Sequence, residues 1–208
     1  MGKETNAKAS LILAMVIFGT IGIFRKYIPL PSGIVACARG ILGVAFLLIF
    51  IKMKHIKIDV AAIKKHLWIL LVSGGFIGLN WVLLFESYRY TSVAVATLCY
   101  YMAPIFVMLV SPVLLKEKLT AKKVVCVLVA LTGMVFVSGV LDGGISDISE
   151  LKGILFGLGA AALYASVVMM NQTLGEVPTY DKTIMQLGAA AIVLIPYILL
   201  VEDMSAVE

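Results

Sequence analysis

Charged residues are scarce in this chain. Asp, Glu, Lys and Arg make up 14% of its 208 residues, whereas 62% of the residues are apolar. A water-soluble domain of this length needs more polar residues to cover its surface, so the composition excludes a soluble globular protein. The composition indicates an integral membrane protein.

The chain also lacks the alternation of apolar and polar residues that is typical of membrane-spanning β-strands. Because every backbone polar group must be paired inside lipid, the chain is expected to cross as α-helices. Most of its seven apolar runs approach the roughly 20 residues that a helix needs to cross ~30 Å of hydrocarbon. The runs are Ala9–Phe24, Ser32–Ile51, Leu67–Tyr88, Ser92–Leu115, Val124–Leu141, Gly153–Asn171 and Thr183–Val201.

Cysteine and histidine are also few. Cys37, Cys99 and Cys126 all fall inside apolar runs, and an odd number of cysteines argues against a disulfide framework. His55 and His66 have no cysteine or carboxylate at the spacing of a metal site. HExxH and GxSxG motifs are absent, and no carboxylate pair lies at membrane depth. The sequence therefore predicts no metal, no cofactor and no enzymatic activity.

The basic residues are distributed unevenly between the two sides of the predicted bundle. Most lysines lie in the N-terminal tail and in the second, fourth and sixth loops, whereas the other side holds Arg25, Lys26, Arg89 and Lys152. The positive-inside rule predicts a multi-pass plasma-membrane protein with a cytoplasmic N-terminus and, after seven crossings, an external C-terminus. The lysines form no basic face with interleaved aromatic residues, so no nucleic-acid partner is expected.

The sixth and seventh runs resemble the first two. Phe18-Gly19-Thr20-Ile21 matches Tyr164-Ala165-Ser166-Val167 in residue size, and the polar residue Arg39 of the second run is matched by Gln186 of the seventh. Five runs precede the loop 142–152, and an odd number makes a second copy start from the opposite side of the membrane. This pattern predicts an inverted repeat.

Six features follow one another along the first half of the chain. They are Ile17-Phe18-Gly19-Thr20, Arg39, Gly74–Trp81, Glu86–Ala94, Ala103-Pro104, and Lys116-Glu117-Lys118-Leu119-Thr120 before a fifth run with Gly133. In order and spacing they resemble the EamA-type permeases of the drug/metabolite transporter superfamily, which are ten-helix carriers built from two inverted five-helix repeats.

The resemblance implies an all-α integral membrane protein with about seven transmembrane helices. Residues 1–141 are expected to form the complete first repeat of five helices, and residues 142–152 the loop between the repeats. Residues 153–208 are expected to hold the first two helices of an inverted second repeat. A complete member of the family has roughly three more helices, so the chain is expected to be truncated after its seventh helix.

A group of polar and aromatic residues is predicted to share one layer, ~10–13 Å below the outer membrane surface. An ionised arginine at a helix centre costs about 2.5–3.5 kcal/mol on insertion scales, so Arg39 needs a cavity, a partner or a route to the surface. Asn80 in lipid would be costly, and aromatic side chains at this depth lie below the interfacial belt. The predicted substrate-binding residues are Arg39, Asn80, Trp81, Tyr100 and Tyr101. The alternative for Arg39 is an anchor or a member of a structural ion pair, and the alternative for the tyrosines and the tryptophan is core packing with one hydrogen bond each.

Two further polar residues are candidates for an ion pair or a gate, Glu86 and Gln186. Glu86 lies near the outer end of the third run, where it either pairs with Arg39 or is solvated at the headgroups. Small residues at four-residue spacing predict close helix packing, and Pro104 predicts a kink in the fourth run. The predicted packing residues are Gly74, Gly78, Gly153, Gly157, Ala161, Ala165 and Pro104.

Two functions fit the sequence. By its resemblance, the chain is a small-metabolite permease that acts by alternating access on a polar or amphipathic metabolite, with the lipid bilayer and the substrate as its partners. The alternative is a non-transporting or partner-dependent membrane scaffold, a truncated product whose helical bundle is completed by a second copy or by another chain.

Overall fold

The computed structural model describes residues 8–10, 12–14, 16–17, 19–20, 24, 27–114, 120–137 and 148–201. All regular secondary structure within these residues is helical, as the sequence predicts. The helices are α1 (Ser32–Met53), α2 (Val60–Lys65), α3 (Leu67–Tyr90), α4 (Val93–Tyr100), α5 (Ala103–Leu114), α6 (Ala121–Val137), α7 (Ile148–Thr173) and α8 (Thr179–Val201).

Five helical segments within the described ranges are long and apolar enough to cross a membrane. They are Ser32–Met53, Leu67–Tyr90, Val93–Pro112, Ile148–Thr173 and Thr179–Leu200. These segments contain all or most of the second, third, fourth, sixth and seventh apolar runs. The described residues between 8 and 24 are helical, and the fifth run forms the 17-residue helix α6. The remainder of the first and fifth runs lies outside the described residues, as do residues 138–147 and 202–208.

The bundle has two ends, which differ in charge. The loop with Lys54 and Lys57 lies at one end, here called the basic end, and Thr91 lies at the other, the Thr91 end. Helices α1 and α7 run towards the basic end, whereas α3 and α8 run away from it. This arrangement follows from chain connectivity and from the contact of Thr91 with Gly153 near the start of α7.

Helix α3 lies at the centre of the bundle, where it packs against α1, α4, α7 and α8. Glycines allow the approach of α8. A Cβ atom added at Gly74 would lie 2.5 Å from the carbonyl oxygen of Gln186, and one at Gly78 would lie 3.0 Å from that of Ala190. Any larger residue at these positions would separate the two helix backbones.

Small residues also bring α7 against the α3–α4 hairpin. A Cβ atom added at Gly153 or at Gly157 would lie 2.8 Å from a side-chain atom of α4 or of the turn before it. Ala161 and Ala165, one and two turns further along α7, are 0% and 5% exposed. The face of α7 that carries these four residues is therefore the one that packs in the bundle.

The fourth apolar run forms two helices rather than one kinked helix. Helix α4 ends before Tyr101, and the backbone N–H of Met102 donates to the carbonyl of Cys99 at 3.1 Å, which tightens the turn. Pro104 is the second residue of α5. Because the first turn of a helix leaves its N–H groups without intrahelical partners, proline costs α5 no hydrogen bond there. The expected kink is thus a short break between two helices.

Candidate functional site

The first polar group inside the bundle is Arg39, which lies seven residues into α1, ~10 Å along the helix axis. Its guanidinium carbon lies 4.4 Å from the ring centroid of Trp81 on α3, and Trp81 is 8% exposed. A cation over a tryptophan face is attracted by the ring quadrupole, by about 2 kcal/mol or more when both groups are desolvated. This contact offsets part of the cost of keeping a cation at that depth.

Asn80, the residue before Trp81, links three helices. Its Nδ2 donates to the carbonyl of Ala160 on α7 at 2.5 Å, and its Oδ1 accepts from the Tyr100 hydroxyl on α4 at 3.5 Å. The Asn80 side chain is 1% exposed. Leaving a buried amide without a partner costs about 1–3 kcal/mol, so these bonds fix the positions of the three helices.

Tyr164 on α7 completes the group from the second half of the chain. Its ring lies 5.5 Å from that of Tyr100, centroid to centroid, at an interplanar angle of 42°. Tyr164 is 41% exposed, so it lies at the edge of the group. The sequence analysis uses Tyr164 only in the repeat match, so it misses the place of this residue beside Tyr100. We call this group the Arg39 site: Arg39, Asn80, Trp81, Tyr100 and Tyr164.

Tyr101 lies apart from the Arg39 site. The structure brings together four of the five residues that the sequence groups, but Tyr101 is 61% exposed on the outer surface of the bundle. Consecutive residues of a helix point about 100° apart, and the direction of Tyr101 leads to the surface of the bundle rather than to the Arg39 site. Equal depth in the membrane does not carry this directional information.

Glu86 has a partner on its own helix. The Nη1 atom of Arg89 lies 3.1 Å from both carboxylate oxygens of Glu86, one turn further towards the Thr91 end. The Glu86 side chain is 15% exposed, whereas that of Arg89 is 61% exposed. Glu86 is therefore ion-paired near the helix end, and its role in an ion pair with Arg39 or in a gate stays a prediction.

Gln186 lies in a second polar cluster, nearer the basic end. Its Nε2 donates to Ser73 Oγ on α3 and to Asn171 Oδ1 on α7, each at 2.7 Å. Gln186 is 5% exposed and Ser73 is 0% exposed. We call Ser73, Asn171 and Gln186 the Gln186 cluster. It joins α3, α7 and α8 through a single amide nitrogen.

A heptad spacing on α3 identifies residues that sequence reasoning missed. Ser73, Asn80 and Ser87 are seven residues apart, so they lie on one face of the helix. All three are buried, and Ser87 Oγ donates to the carbonyl of Gly153 at 2.6 Å. Polar residues at this spacing in an apolar run indicate a hydrogen-bonded helix contact. Within the described ranges, no group of three or more His, Cys, Asp or Glu side chains could hold a metal ion.

Polar and charged side chains inside a helical membrane bundle are costly, so the Arg39 site is the candidate functional site of a multi-pass membrane protein. Residues 7–139 match the EamA-like transporter family, and the chain is a member of that family. The family is one of transporters.

The chain is also similar to a curated bacterial protein. It is 30% identical over 199 residues to an uncharacterized transporter, YxxF, of Bacillus subtilis (strain 168). The match covers 94% of this chain and 63% of the length of that relative. No solved structure matches the chain.

Proposed function

We propose that the chain is a small-metabolite permease that acts by alternating access and binds its substrate at the Arg39 site. The observation that carries the proposal is the contact of the partly buried Arg39 with the buried Trp81, beside the hydrogen-bonded Asn80 and Tyr100. Ionisable residues inside a membrane bundle are costly and are generally kept for function. The site draws side chains from α1, α3, α4 and α7, so it lies where both halves of the chain meet.

The chemistry of the Arg39 site favours a polar or amphipathic metabolite with an anionic group. A guanidinium presents a planar fork of N–H donors that matches a carboxylate or phosphate. The rings of Trp81, Tyr100 and Tyr164 would form the walls for the apolar part of the substrate. The amide of Asn80 would align the rings around it.

The proposal includes the direction of the chain in the membrane. By the positive-inside rule, the lysines of the basic end support a cytoplasmic location for that end, and the plasma membrane is the proposed membrane. An inverted second repeat, beginning with α7 and α8, would then rock against the first repeat during transport. Seven membrane spans are part of this proposal.

Transport by the purified chain in proteoliposomes tests the proposal. A counterflow screen with radiolabelled amino acids, organic acids and nucleosides identifies a substrate, and uptake is then compared among variants. Arg39→Ala is expected to reduce uptake by about tenfold or more, since a hydrogen bond to a charged group is lost. Arg39→Lys should retain part of the activity, because it keeps the charge but not the fork.

Tyr101→Phe is the matched control, because Tyr101 lies at the same depth but outside the Arg39 site. Its uptake should equal that of the parent. Parent-like uptake and substrate preference in Arg39→Ala would remove Arg39 from substrate binding. Uptake that requires a second copy or another chain would favour the partner-dependent scaffold instead of an independent permease.

A further inference from the structure

Helix α2 is too short to be stable without tertiary contacts. It has six residues, whereas an isolated helix needs about 12–15 to be even marginally stable. Asp59 caps its first turn, because Asp59 Oδ1 accepts from the backbone N–H of Ala62 at 3.0 Å. The cap alone does not fix where the helix lies, so its contacts with the rest of the bundle determine its position.

One end of α2 is anchored by a buried carboxylate. Asp181 lies in the first turn of α8 and is 2% exposed. Its Oδ2 accepts from the backbone N–H of Asp59 at 2.8 Å. A carboxylate this deeply buried needs hydrogen bonds to replace those of water, so Asp181 holds the start of α2 against the start of α8.

The other end of α2 is anchored by an exposed ion pair. Lys65 Nζ lies 2.5 Å from Glu176 Oε2, in the connection between α7 and α8. His66 Nε2 lies 3.6 Å from the same oxygen, which is too long for a hydrogen bond. The pKa of the Glu176 carboxyl lies below its usual value, mainly because of the hydrogen bond from Lys65. Both side chains are mostly exposed, so this anchor is weaker than the one at Asp181.

Apolar packing lies between the two anchors. Leu70, Leu174 and Val177 form a buried cluster, and Ala62 and Ile63 of α2 pack against it. Met185, the neighbour of Gln186 in α8, packs against the same cluster, and Ser73 of the Gln186 cluster donates to the carbonyl of Leu70 at 3.1 Å. The apolar cluster under α2 is therefore continuous with the Gln186 cluster.

We propose that α2 is the gate at the basic end of the transport path, and that Asp181 and Glu176 hold it closed. This inference rests on the proposed alternating access. Both anchors of the gate join a loop of the first half to α8 or to the connection between α7 and α8, and part of its apolar packing, on Leu174 and Val177, does the same. If the halves move apart at the basic end, these contacts must separate together.

Accessibility of a buried cysteine tests the gate without reference to transport. The test protein is the full chain with alanine in place of Cys37, Cys99 and Cys126. It also carries Ser73→Cys, at a buried position of α3 in the Gln186 cluster. The probe is a membrane-impermeant maleimide applied from the basic end. Asp181→Ala is expected to raise the labelling rate about tenfold, because a hydrogen bond to a buried charge is lost.

Two further variants make this labelling experiment decisive. Glu176→Gln should raise the labelling rate by a smaller factor, because its ion pair is exposed. Lys64→Ala, next to Lys65 but outside both anchors, should leave the rate unchanged. Parent-like labelling in both Asp181→Ala and Glu176→Gln would overturn the gate. If Asp181→Ala does not fold, parent-like labelling of Glu176→Gln alone is sufficient to overturn it.

A reversible crosslink asks whether the gate must open during transport. In the same cysteine-free background, Lys65→Cys and Glu176→Cys are joined by a cleavable bifunctional thiol reagent. Uptake should be lost on crosslinking and recovered on reduction, whereas the same reagent on Lys65→Cys alone should have no effect. Full uptake by the crosslinked chain would overturn the gate. Absence of uptake by the uncrosslinked parent would instead refute the proposed function, and the labelling rates would still decide whether α2 closes the basic end.

Discussion

The Arg39 site and the Gln186 cluster both lie between the helices of the bundle, but they are built from different contacts. The Arg39 site combines a cation with aromatic rings, through a 4.4 Å cation–π contact and a 3.5 Å hydrogen bond, and its Tyr164 is 41% exposed. The Gln186 cluster contains neutral groups only and is held by two hydrogen bonds of 2.7 Å. Apart from the hydrogen bond of Asn80 to Ala160, the contacts of the Arg39 site are long and exchangeable, whereas those of the Gln186 cluster are short and specific.

This difference indicates different roles. The Nε2 atom of Gln186 has two hydrogens and donates both to protein acceptors, so it has no donor left for a ligand. A guanidinium has five N–H donors, and a ring face that contacts it can be exchanged for an anionic ligand. We therefore expect the Arg39 site to control transport and the Gln186 cluster to control the stability of the helix contacts.

The largest effect on stability is expected from Gln186→Leu. This change removes the amide nitrogen that donates to both Ser73 and Asn171. The loss is expected to lower the free energy of unfolding by about 1–3 kcal/mol. Thermal unfolding of the purified protein in detergent measures this loss as a lower midpoint temperature.

Gln172→Leu provides the matched control, because Gln172 is an exposed amide on α7 beside Asn171. Its midpoint should differ little from that of the parent. Equal midpoints for Gln186→Leu and the parent would mean that the Gln186 cluster does not hold the helices together, and the contrast between the two clusters would fail.

A smaller effect, on transport rather than stability, is expected from Tyr100→Phe. The change removes one long hydrogen bond to Asn80 and keeps the ring that packs on Tyr164, so KM for uptake should rise by about two- to tenfold. Initial rates in proteoliposomes give KM, and Tyr101→Phe serves as the control. A lower unfolding midpoint with an unchanged KM in Tyr100→Phe would mean that the Arg39 site contributes to stability rather than to transport.

The smallest effect is expected from the acid titration of Glu176. Its pKa is lowered in the structure, so its contribution to stability is complete above the usual pKa of a carboxyl group. That contribution is lost as the pH falls through the lowered value. The groups that face Glu176 are Lys65 and His66.

Unfolding midpoints of the parent and Glu176→Gln, measured between pH 7 and pH 3, test this expectation. The parent should be more stable by about a degree near neutral pH, and the difference should vanish in acid. The two proteins differ only at this carboxyl group, so the comparison isolates its contribution. A difference that increases as the pH falls would show that the Lys65–Glu176 pair does not stabilise the closed gate.

The sequence predicts the helical class and the depth of the site, because both depend on counting along one chain. Apolar runs give the spans, and seven or eight residues from a span end give the layer that holds Arg39 and Asn80. Depth alone does not give the direction in which a side chain points from the helix axis, so it does not separate Tyr101 from Tyr100. The heptad of Ser73, Asn80 and Ser87 does carry that direction and would have identified the buried face of α3.

Contacts between distant segments are less accessible to sequence reasoning. Tyr164 and Tyr100 are 64 residues apart in numbering, and Asp59 and Asp181 are 122 apart. Nothing in the local pattern of either segment indicates these pairs, because they arise from the packing of α7 and α8 on the first half. Helix α2 is a similar case, since its position is determined by contacts that its own six residues do not encode.

Substrate-dependent fluorescence of Trp81 tests whether the substrate binds at the Arg39 site. The chain has two tryptophans, and the other, Trp68, is 79% exposed near the start of α3, so Trp68→Phe leaves Trp81 as the single reporter. Titration with the substrate from the counterflow screen should change the Trp81 emission to saturation, because an anionic group displaces the Arg39 guanidinium from the ring. The change should be absent in Trp68→Phe with Arg39→Ala. A transported substrate that leaves Trp81 emission unaltered, or alters it equally without Arg39, would contradict the assignment of substrate binding to the Arg39 site.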